Sequence, residues 1–238
     1  AYLLTLRSDG MKPPYNKNTY YINVPYNQEA EKLILTYGQK KKVKAGEFLI
    51  QAGQEVTVIY YLISGLLVHF AVNDQGTEKV GYINQPGSFT NELLFLVHNG
   101  HLLPKRFVMA KVPCEICIID KLCFEKLRGF PELETVLMQS LNQKYRILRE
   151  EVDSFAFNSA QQRLFKLFTA SMDYHCFDTK TEWIPLKMSY TQQEMAAIIG
   201  VHRVSIARII NNLCHGGFIR VINHRIEVNR SRFEADKE

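Results

Sequence analysis

The chain has 238 residues, of which 46% are hydrophobic and 22% are charged. That length fits one large domain or two smaller ones, and the composition excludes intrinsic disorder and collagen-like structure. Basic residues outnumber acidic ones by 29 to 24, so the net charge does not identify a partner. The longest apolar stretch, 58–72, is interrupted by polar residues and is shorter than the ~20 residues of a membrane-spanning helix. We expect no membrane segment, and the absence of a basic, apolar leader predicts no secretory signal.

Residues from Lys44 to Ile119 form short apolar runs separated by turns that contain glycine. Strands are predicted at 48–51, 58–63, 66–72, 79–83 and 115–119. Such regularly spaced short strands are typical of an all-β roll or barrel. Helices are predicted on either side of the roll, at 27–37 and 121–130.

The cysteines are five in number: Cys114, Cys117, Cys123, Cys176 and Cys214. An odd count in a chain of this size favours a reducing compartment, so we expect a cytoplasmic location. The Cys114-x-x-Cys117 pair has no second pair at zinc-binding spacing, and on a strand its two side chains would point to opposite faces. We therefore expect structural cysteines and no metal site, with a thiol redox switch as an alternative.

The hydrophobic period changes after Pro131. Apolar residues then recur at spacings of three and four, at Met138, Leu141, Tyr145, Leu148, Val152 and Phe155. This heptad seam predicts a long helix, here called the stalk, that joins two chains into a parallel homodimer. The alternative is one face of a globular helix, because three heptads are the minimum for a coiled coil.

Residues 191–210 are typical of two short helices around a tight turn. Thr191 and Glu194 form a capping box, and Gly200 can adopt the left-handed conformation that ends a helix. This is a helix-turn-helix, whose second helix lies in the major groove of DNA. A further helix is predicted before it, capped by Ser159, and residues 216–228 predict a two-stranded wing with His224 at its tip.

Positive charge is concentrated in this region. Residues 187–232 contain seven basic and two acidic residues, a local charge of +5 that equals the charge of the whole chain. Arg203 can pair with guanine, whereas Arg220 and Arg225 on the wing are expected to contact phosphates. The residues expected to contact DNA are Thr191, Gln192, Gln193, His202, Arg203, Val204, Ser205, Arg208 and His224.

In this order, a roll, a long helix and a winged helix-turn-helix resemble the Crp/Fnr superfamily of bacterial transcription regulators. The resemblance rests on Lys44-Ala45-Gly46-Glu47, Ala52-Gly53, Tyr60-Tyr61-Leu62-Ile63-Ser64-Gly65, Pro86-Gly87-Ser88-Phe89 and the segment 200–208. It implies an α+β fold with a cyclic-nucleotide-binding-type β-roll at 1–130, a dimerisation helix at 131–157 and a winged helix-turn-helix at 158–238. It also implies double-stranded DNA with a palindromic operator, and RNA polymerase, as partners.

The recognition helix of this family usually carries Arg-Glu-x-x-x-Arg. Here Arg203 and Arg208 are kept, but Val204 replaces the glutamate. The same replacement occurs in the halorespiration regulators, which sense halogenated phenols, and the segment through Leu213 is similar to theirs. Their preference for A·T-rich palindromes fits a valine that packs on the methyl group of thymine.

The family's cyclic-nucleotide binders hold the phosphate with Gly-Glu-Leu and a later Arg-Ser. This chain has Asn91-Glu92-Leu93 and no Arg-Ser near Lys105 and Arg106. The departure predicts a small organic effector, such as a halogenated aromatic, between the roll and the stalk; a cyclic-nucleotide-responsive or thiol-switched regulator is the alternative. The expected contacts are Tyr82, Asn91, Glu92, Lys105, Arg106, Asn142, Gln143 and Arg146.

Other functional classes find little support in the sequence. The first 113 residues contain no cysteine for an iron–sulfur centre, and His69, His98 and His101 are only nominal haem ligands. We expect no cofactor. No P-loop, dinucleotide fingerprint, nucleophile elbow or HExxH motif is present, so we expect no catalytic residues and no enzymatic activity.

Overall fold

The computed structural model describes residues 20–98, 103–172 and 181–235. His101, Cys176 and most of a polar loop expected at 174–182 lie outside these residues. Within them, the strands are β1 Tyr21–Ile22, β2 Gln39–Val43, β3 Phe48–Ile50, β4 Ile59–Ser64, β5 Leu67–Val72, β6 Glu78–Asn84, β7 Phe89–Thr90, β8 Phe107–Ala110, β9 Cys114–Ile119, β10 Trp183–Pro185, β11 Ile219–Ile222 and β12 Arg225–Asn229. The helices are α1 Gln28–Tyr37, α2 Glu92–His98, α3 Lys121–Leu127, α4 Pro131–Phe157, α5 Ala160–Ala170, α6 Gln192–Ile199, α7 Arg203–His215 and α8 Arg230–Ala235.

Two sheets form the N-terminal roll. One has the strand order β1-β6-β5-β8-β3 and the other β2-β9-β4-β7. All their strand pairs are antiparallel except β1 with β6. The five strands predicted from the apolar runs are confirmed to within one residue at each end. The prediction missed β2 because its central residues are three consecutive lysines, which lie exposed on an edge strand.

Two apolar clusters organise the roll. The first lies between the two sheets and includes Leu62, Leu67 and Cys114. The second packs the β4–β9 sheet against α1, α3 and α4, and includes Cys117. Cys114 and Cys117 therefore belong to different clusters, as expected for side chains on opposite faces of one strand.

The stalk is the 27-residue helix α4. Leu133, Val136, Leu137 and Ile147 pack on the roll, whereas most of the predicted seam points away from it. Met138, Tyr145, Leu148, Val152 and Phe155 are exposed, and Leu141 is half-buried. The stalk thus has two apolar faces, one of them covered by its own roll. Because a soluble helix seldom exposes an apolar stripe, the second face is available to a partner.

The C-terminal region comprises α5 to α8 and a three-stranded sheet in the order β10-β12-β11. The predicted wing strands are present, and β10, which was not predicted as a strand, extends their sheet at one edge. Ser159 caps α5 in a capping box with Gln162, as predicted for its N-terminus. The α+β fold of roll, long helix and winged helix-turn-helix is confirmed. Across the described ranges, no helix is long and apolar enough to span a bilayer.

The helix-turn-helix region packs on the roll of its own chain. A single apolar cluster contains Tyr21, Phe70 and Val80 from the roll together with Ile198 and Leu213 from the C-terminal region. This shared core means that the proposed boundary near residue 158 separates two regions that stay in contact.

Candidate nucleic-acid interface and effector region

The first helix of the helix-turn-helix begins and ends as its sequence predicts. The Thr191 hydroxyl accepts a bond from the Glu194 N–H at 3.1 Å, and Glu194 Oε2 accepts one from the Thr191 N–H at 2.8 Å. The helix ends at Gly200, whose φ of 70° is the left-handed conformation. Met195, Ile198 and Ile199 are buried beneath it, so both helices pack on a common core.

The recognition helix α7 presents its N-terminal turn to solvent. His202, Arg203 and Arg208 are exposed, Ser205 is half-buried, and Val204 is 85% exposed. Its hydrophobicity alone would place Val204 on the inner apolar face with Ile206 and Ile209. The structure instead places it in solvent. An exposed valine at the start of this helix is instead free to contact a base edge.

The remaining expected DNA contacts are also accessible. Thr191, Gln192 and Gln193 are exposed at the N-terminus of α6, and His224 is exposed at the wing tip. Asn223 and His224 both have positive φ, at 50° and 62°, which suits the two-residue turn between β11 and β12. The structure thus leaves all nine expected contacts open or half-open in the single chain.

Arg220, on the wing, makes contacts within its own chain. Its Nε and Nη2 atoms both lie 2.6 Å from Glu227 Oε2, and its guanidinium stacks 4.7 Å from the ring centre of Trp183. A guanidinium bound in this way ties β11 to β12 and β10. Arg225, near the wing tip, is exposed and better placed for a phosphate.

The space expected for an effector, between roll and stalk, contains a buried ion pair. The Lys144 ammonium of α4 pairs with the Glu92 carboxylate at the start of α2, and their side chains are only 10% and 2% exposed. Lys144 also donates to the Phe89 carbonyl at 2.7 Å, and the Ser140 hydroxyl donates to Glu92 at 3.1 Å. These bonds connect the stalk directly to the roll. Ser140 and Lys144 were not among the contacts predicted from the sequence. A lysine on a helix normally lies in solvent, so Lys144 gave no sign of its burial.

Two further polar groups complete this region. The rings of His69 and Tyr82 lie 4.3 Å apart between their centres and are tilted by 33°, and His69 Nε2 lies 3.3 Å from the Thr90 hydroxyl. Burial, helped by Lys144 and Arg106, holds the pKa of His69 well below its usual 6.5. Burial and the nearby Glu92 carboxylate raise the pKa of Tyr82. Both side chains therefore remain uncharged at neutral pH.

The other expected effector contacts are distributed unevenly. The Asn91 side chain donates to the Val56 and Val58 carbonyls, and its backbone has a φ of 71°. An asparagine tolerates this left-handed conformation, which explains how the family's glycine can be replaced here. Lys105, Arg106 and Asn142 are exposed, and Gln143 accepts a bond from Arg146 on the same helix. Tyr82 and Glu92 are thus brought together, whereas Asn142 lies on an exposed part of the stalk.

Among the described residues, neither the thiols of Cys114, Cys117 and Cys123 nor the metal-binding side chains point to a redox or metal site. Burial raises the pKa of the Cys117 thiol to about 11 and also raises the pKa values of Cys114 and Cys123. Because the thiolate is the reactive form, these side chains are poor redox sensors. Within the described ranges, no group of three histidine, cysteine or acidic residues is arranged to hold a metal ion.

The stalk, the roll and the helix-turn-helix meet at Lys79 on β6. Its ammonium pairs with Glu151 on the stalk and donates to the Ile198 carbonyl near the end of α6 at 3.0 Å. Two further polar contacts join roll and helix-turn-helix: Lys111 pairs with Glu194 at 2.7 Å, and the Tyr21 and Tyr190 hydroxyls lie 2.5 Å apart. Partial burial opposes ionisation of Glu194, but the bonds from Lys111 and Thr191 outweigh it and lower the pKa.

Comparisons with known proteins agree with this architecture. The cyclic nucleotide-binding domain model matches residues 40–128, and the Crp-like helix-turn-helix domain model matches residues 162–233. The cAMP-activated global transcriptional regulator Vfr of Pseudomonas aeruginosa is 25% identical over 191 residues, which cover 79% of this chain and 88% of Vfr. The c-di-GMP responsive global regulator CLP of Xanthomonas campestris superposes with a TM-score of 0.74 at 15% identity, covering 85% of this chain and 99% of CLP.

A likeness to CprK bears on the recognition helix only indirectly. CprK in its complex with OCPA superposes with a TM-score of 0.64 at 17% identity, covering 85% of this chain and 91% of CprK. At this identity the superposition shows a shared fold. The assignment of Val204 to a halorespiration-type recognition helix therefore stays a prediction.

Proposed function

Because this chain is a transcription regulator of the Crp/Fnr family, we propose that it binds a palindromic, A·T-rich promoter site as a homodimer and answers to a small organic effector. The observation that carries the proposal is the exposed N-terminal turn of α7, where the side chains of Arg203 and Val204 both lie in solvent beside the paired wing. Arg203 would read a guanine and Val204 a thymine methyl group. RNA polymerase is the further partner that the family implies.

DNA binding is tested with a fluorescently labelled palindrome and a random duplex of equal length. Arg203→Ala should lose about 1–3 kcal/mol of discrimination between the two, because a bidentate contact carries sequence information and a phosphate contact does not. The binding constant should also fall steeply with salt. Equal losses on both duplexes would contradict the base-reading role of Arg203.

The homodimer is proposed from the exposed face of the stalk. The double variant Leu141→Asp/Leu148→Asp should sediment as a monomer, since two buried charges would face their counterparts across the seam. Leu122→Asp is the matched control: Leu122 lies on α3, is 75% exposed and belongs to no seam. A double variant that remains dimeric would show that another surface joins the chains.

The effector is proposed to act where the stalk meets the roll, near Tyr82, Glu92 and Lys144. Calorimetry with chlorinated phenols, other small aromatics, cyclic AMP and cyclic GMP, each with and without palindromic DNA, identifies the class. Binding of an aromatic that changes DNA affinity supports the proposal. Micromolar binding of a cyclic nucleotide that tightens DNA affinity would instead support the alternative of a cyclic-nucleotide-responsive regulator, as Vfr is described to be.

A further inference from the structure

Lys79 is the only roll residue described above that bonds to both the stalk and the helix-turn-helix. Its side chain is 29% exposed, and its ammonium pairs with Glu151 while donating to the carbonyls of Val80 and Ile198. Ile198 lies in the last turn of α6, where unpaired carbonyls give the helix end a partial negative charge. A single cation thus fixes the end of α6 against the roll and the stalk.

Phe155, at the end of the stalk, completes the junction. Its ring centre lies 5.6 Å from the Lys79 ammonium and 4.7 Å from the guanidinium of Arg163. A Cβ on Gly200 would lie 2.8 Å from the Phe155 ring, so the turn of the helix-turn-helix rests directly on it. Phe155 was expected only in the dimer seam, yet part of its surface contacts its own chain.

The covalent connection between the stalk and the helix-turn-helix region is short, and the junction adds contacts that limit its rotation. The stalk ends at Phe157 and α5 begins at Ala160, which leaves Asn158 and Ser159 in extended conformations between them. Two residues alone leave rotational freedom about their backbone bonds. Arg163 limits that freedom, since it donates to the Asn158 carbonyl at 2.8 Å and to the Ile199 carbonyl at 3.1 Å.

We propose that Lys79 and Phe155 are positioning residues that set the distance between the two recognition helices of the dimer. This inference rests on the proposed function, because it requires a dimer on a palindrome. The two helices must lie about 34 Å apart to enter successive major grooves, and each added base pair moves a half-site by about 3.4 Å. A rigid junction therefore restricts binding to one half-site spacing, and a loosened junction admits several.

The test measures affinity for a series of palindromes whose central spacer is shortened or lengthened by one and two base pairs, together with an isolated half-site. The wild-type protein should prefer one spacer by at least tenfold. Lys79→Met should reduce that preference at least fivefold and leave half-site affinity unchanged. Lys79→Arg should restore the preference, because a guanidinium can reach the same carboxylate and carbonyl.

Two further variants guard against misfolding. Lys79→Met/Glu151→Gln removes both charges of the pair and leaves no buried carboxylate unpaired. Lys41→Met is the matched control, since Lys41 pairs with Glu47 at 3.1 Å on the surface of the same roll. It should keep the wild-type spacer preference.

The outcomes separate the two proposals. A wild-type preference retained in Lys79→Met and in Lys79→Met/Glu151→Gln would overturn the positioning role and leave the proposed function intact. Loss of half-site affinity in those variants would also overturn it, because the junction would then be needed for the helix-turn-helix itself. A wild-type protein that binds no palindrome better than an isolated half-site, either alone or with the small aromatics used in the calorimetry, would overturn the proposed function and the inference together.

Discussion

Removal of the Lys144 ammonium should destabilise the protein more than removal of any surface charge. In Lys144→Met the Glu92 carboxylate, only 2% exposed, would keep the Ser140 hydroxyl as a donor and lose its counter-ion. Breaking one side of a buried ion pair typically costs about 3–5 kcal/mol. That loss is a large share of the ~5–15 kcal/mol by which folded domains are usually stable.

The double variant Lys144→Met/Glu92→Gln provides the internal comparison. The neutral amide still accepts a bond from Ser140, and no buried charge remains, so most of the lost stability should return. Urea unfolding followed by circular dichroism measures both variants, at one protein concentration because dimerisation contributes to apparent stability. Lys41→Met, in an exposed ion pair, should leave the urea midpoint unchanged.

A stability loss of less than about 1 kcal/mol in Lys144→Met would contradict this expectation, since the Glu92 carboxylate must then reach water. A double variant that is no more stable than the single one would also contradict it. That result would mean that packing of the lysine stem, and not its charge, holds stalk and roll together.

Three other perturbations test neighbouring features. Because the pKa of His69 is depressed in the folded state, the unfolded state binds more protons below pH 6.5. The free energy of unfolding should therefore fall by up to about 1.4 kcal/mol for each pH unit below 6.5. His69→Gln should remove this contribution when stability is measured by urea unfolding at several pH values. Gly200→Ala should lower the melting temperature more than Gly53→Ala, since both residues have positive φ but only at Gly200 would a Cβ strike a side chain. Arg225→Ala should reduce the salt dependence of DNA binding by about one ion, whereas Arg220→Ala should loosen the wing, seen as faster amide exchange in β11.

Local signals in the sequence predicted the helix-turn-helix well. Thr191, Glu194 and Gly200 specify a helix start, a cap and a left-handed turn within ten residues. Each of these conformations is determined by residues close to it in the sequence. The stalk was equally predictable, because its heptad pattern requires no knowledge of what covers it. These elements depend on short-range chemistry.

Contacts between residues far apart in the sequence could not be predicted in the same way. Lys144 lies 52 residues from Glu92, and Lys79 lies 119 residues from the Ile198 carbonyl to which it donates. A buried lysine is recognised only once its partner is known, because the isolated side chain favours solvent. For the same reason Phe155 was assigned to the seam, although its ring also contacts the turn at Gly200.

The apolar cluster shared by the roll and the helix-turn-helix has a consequence for engineering. Regulators of this kind invite chimaeras in which the DNA-binding region of one protein is exchanged for that of another. Here such an exchange would remove the surface that covers Tyr21, Phe70 and Val80, and would leave Lys111 without Glu194. A transplanted DNA-binding region would therefore need an apolar surface that matches this roll. Otherwise it would have to be transferred together with the roll strands on which it packs in its own protein.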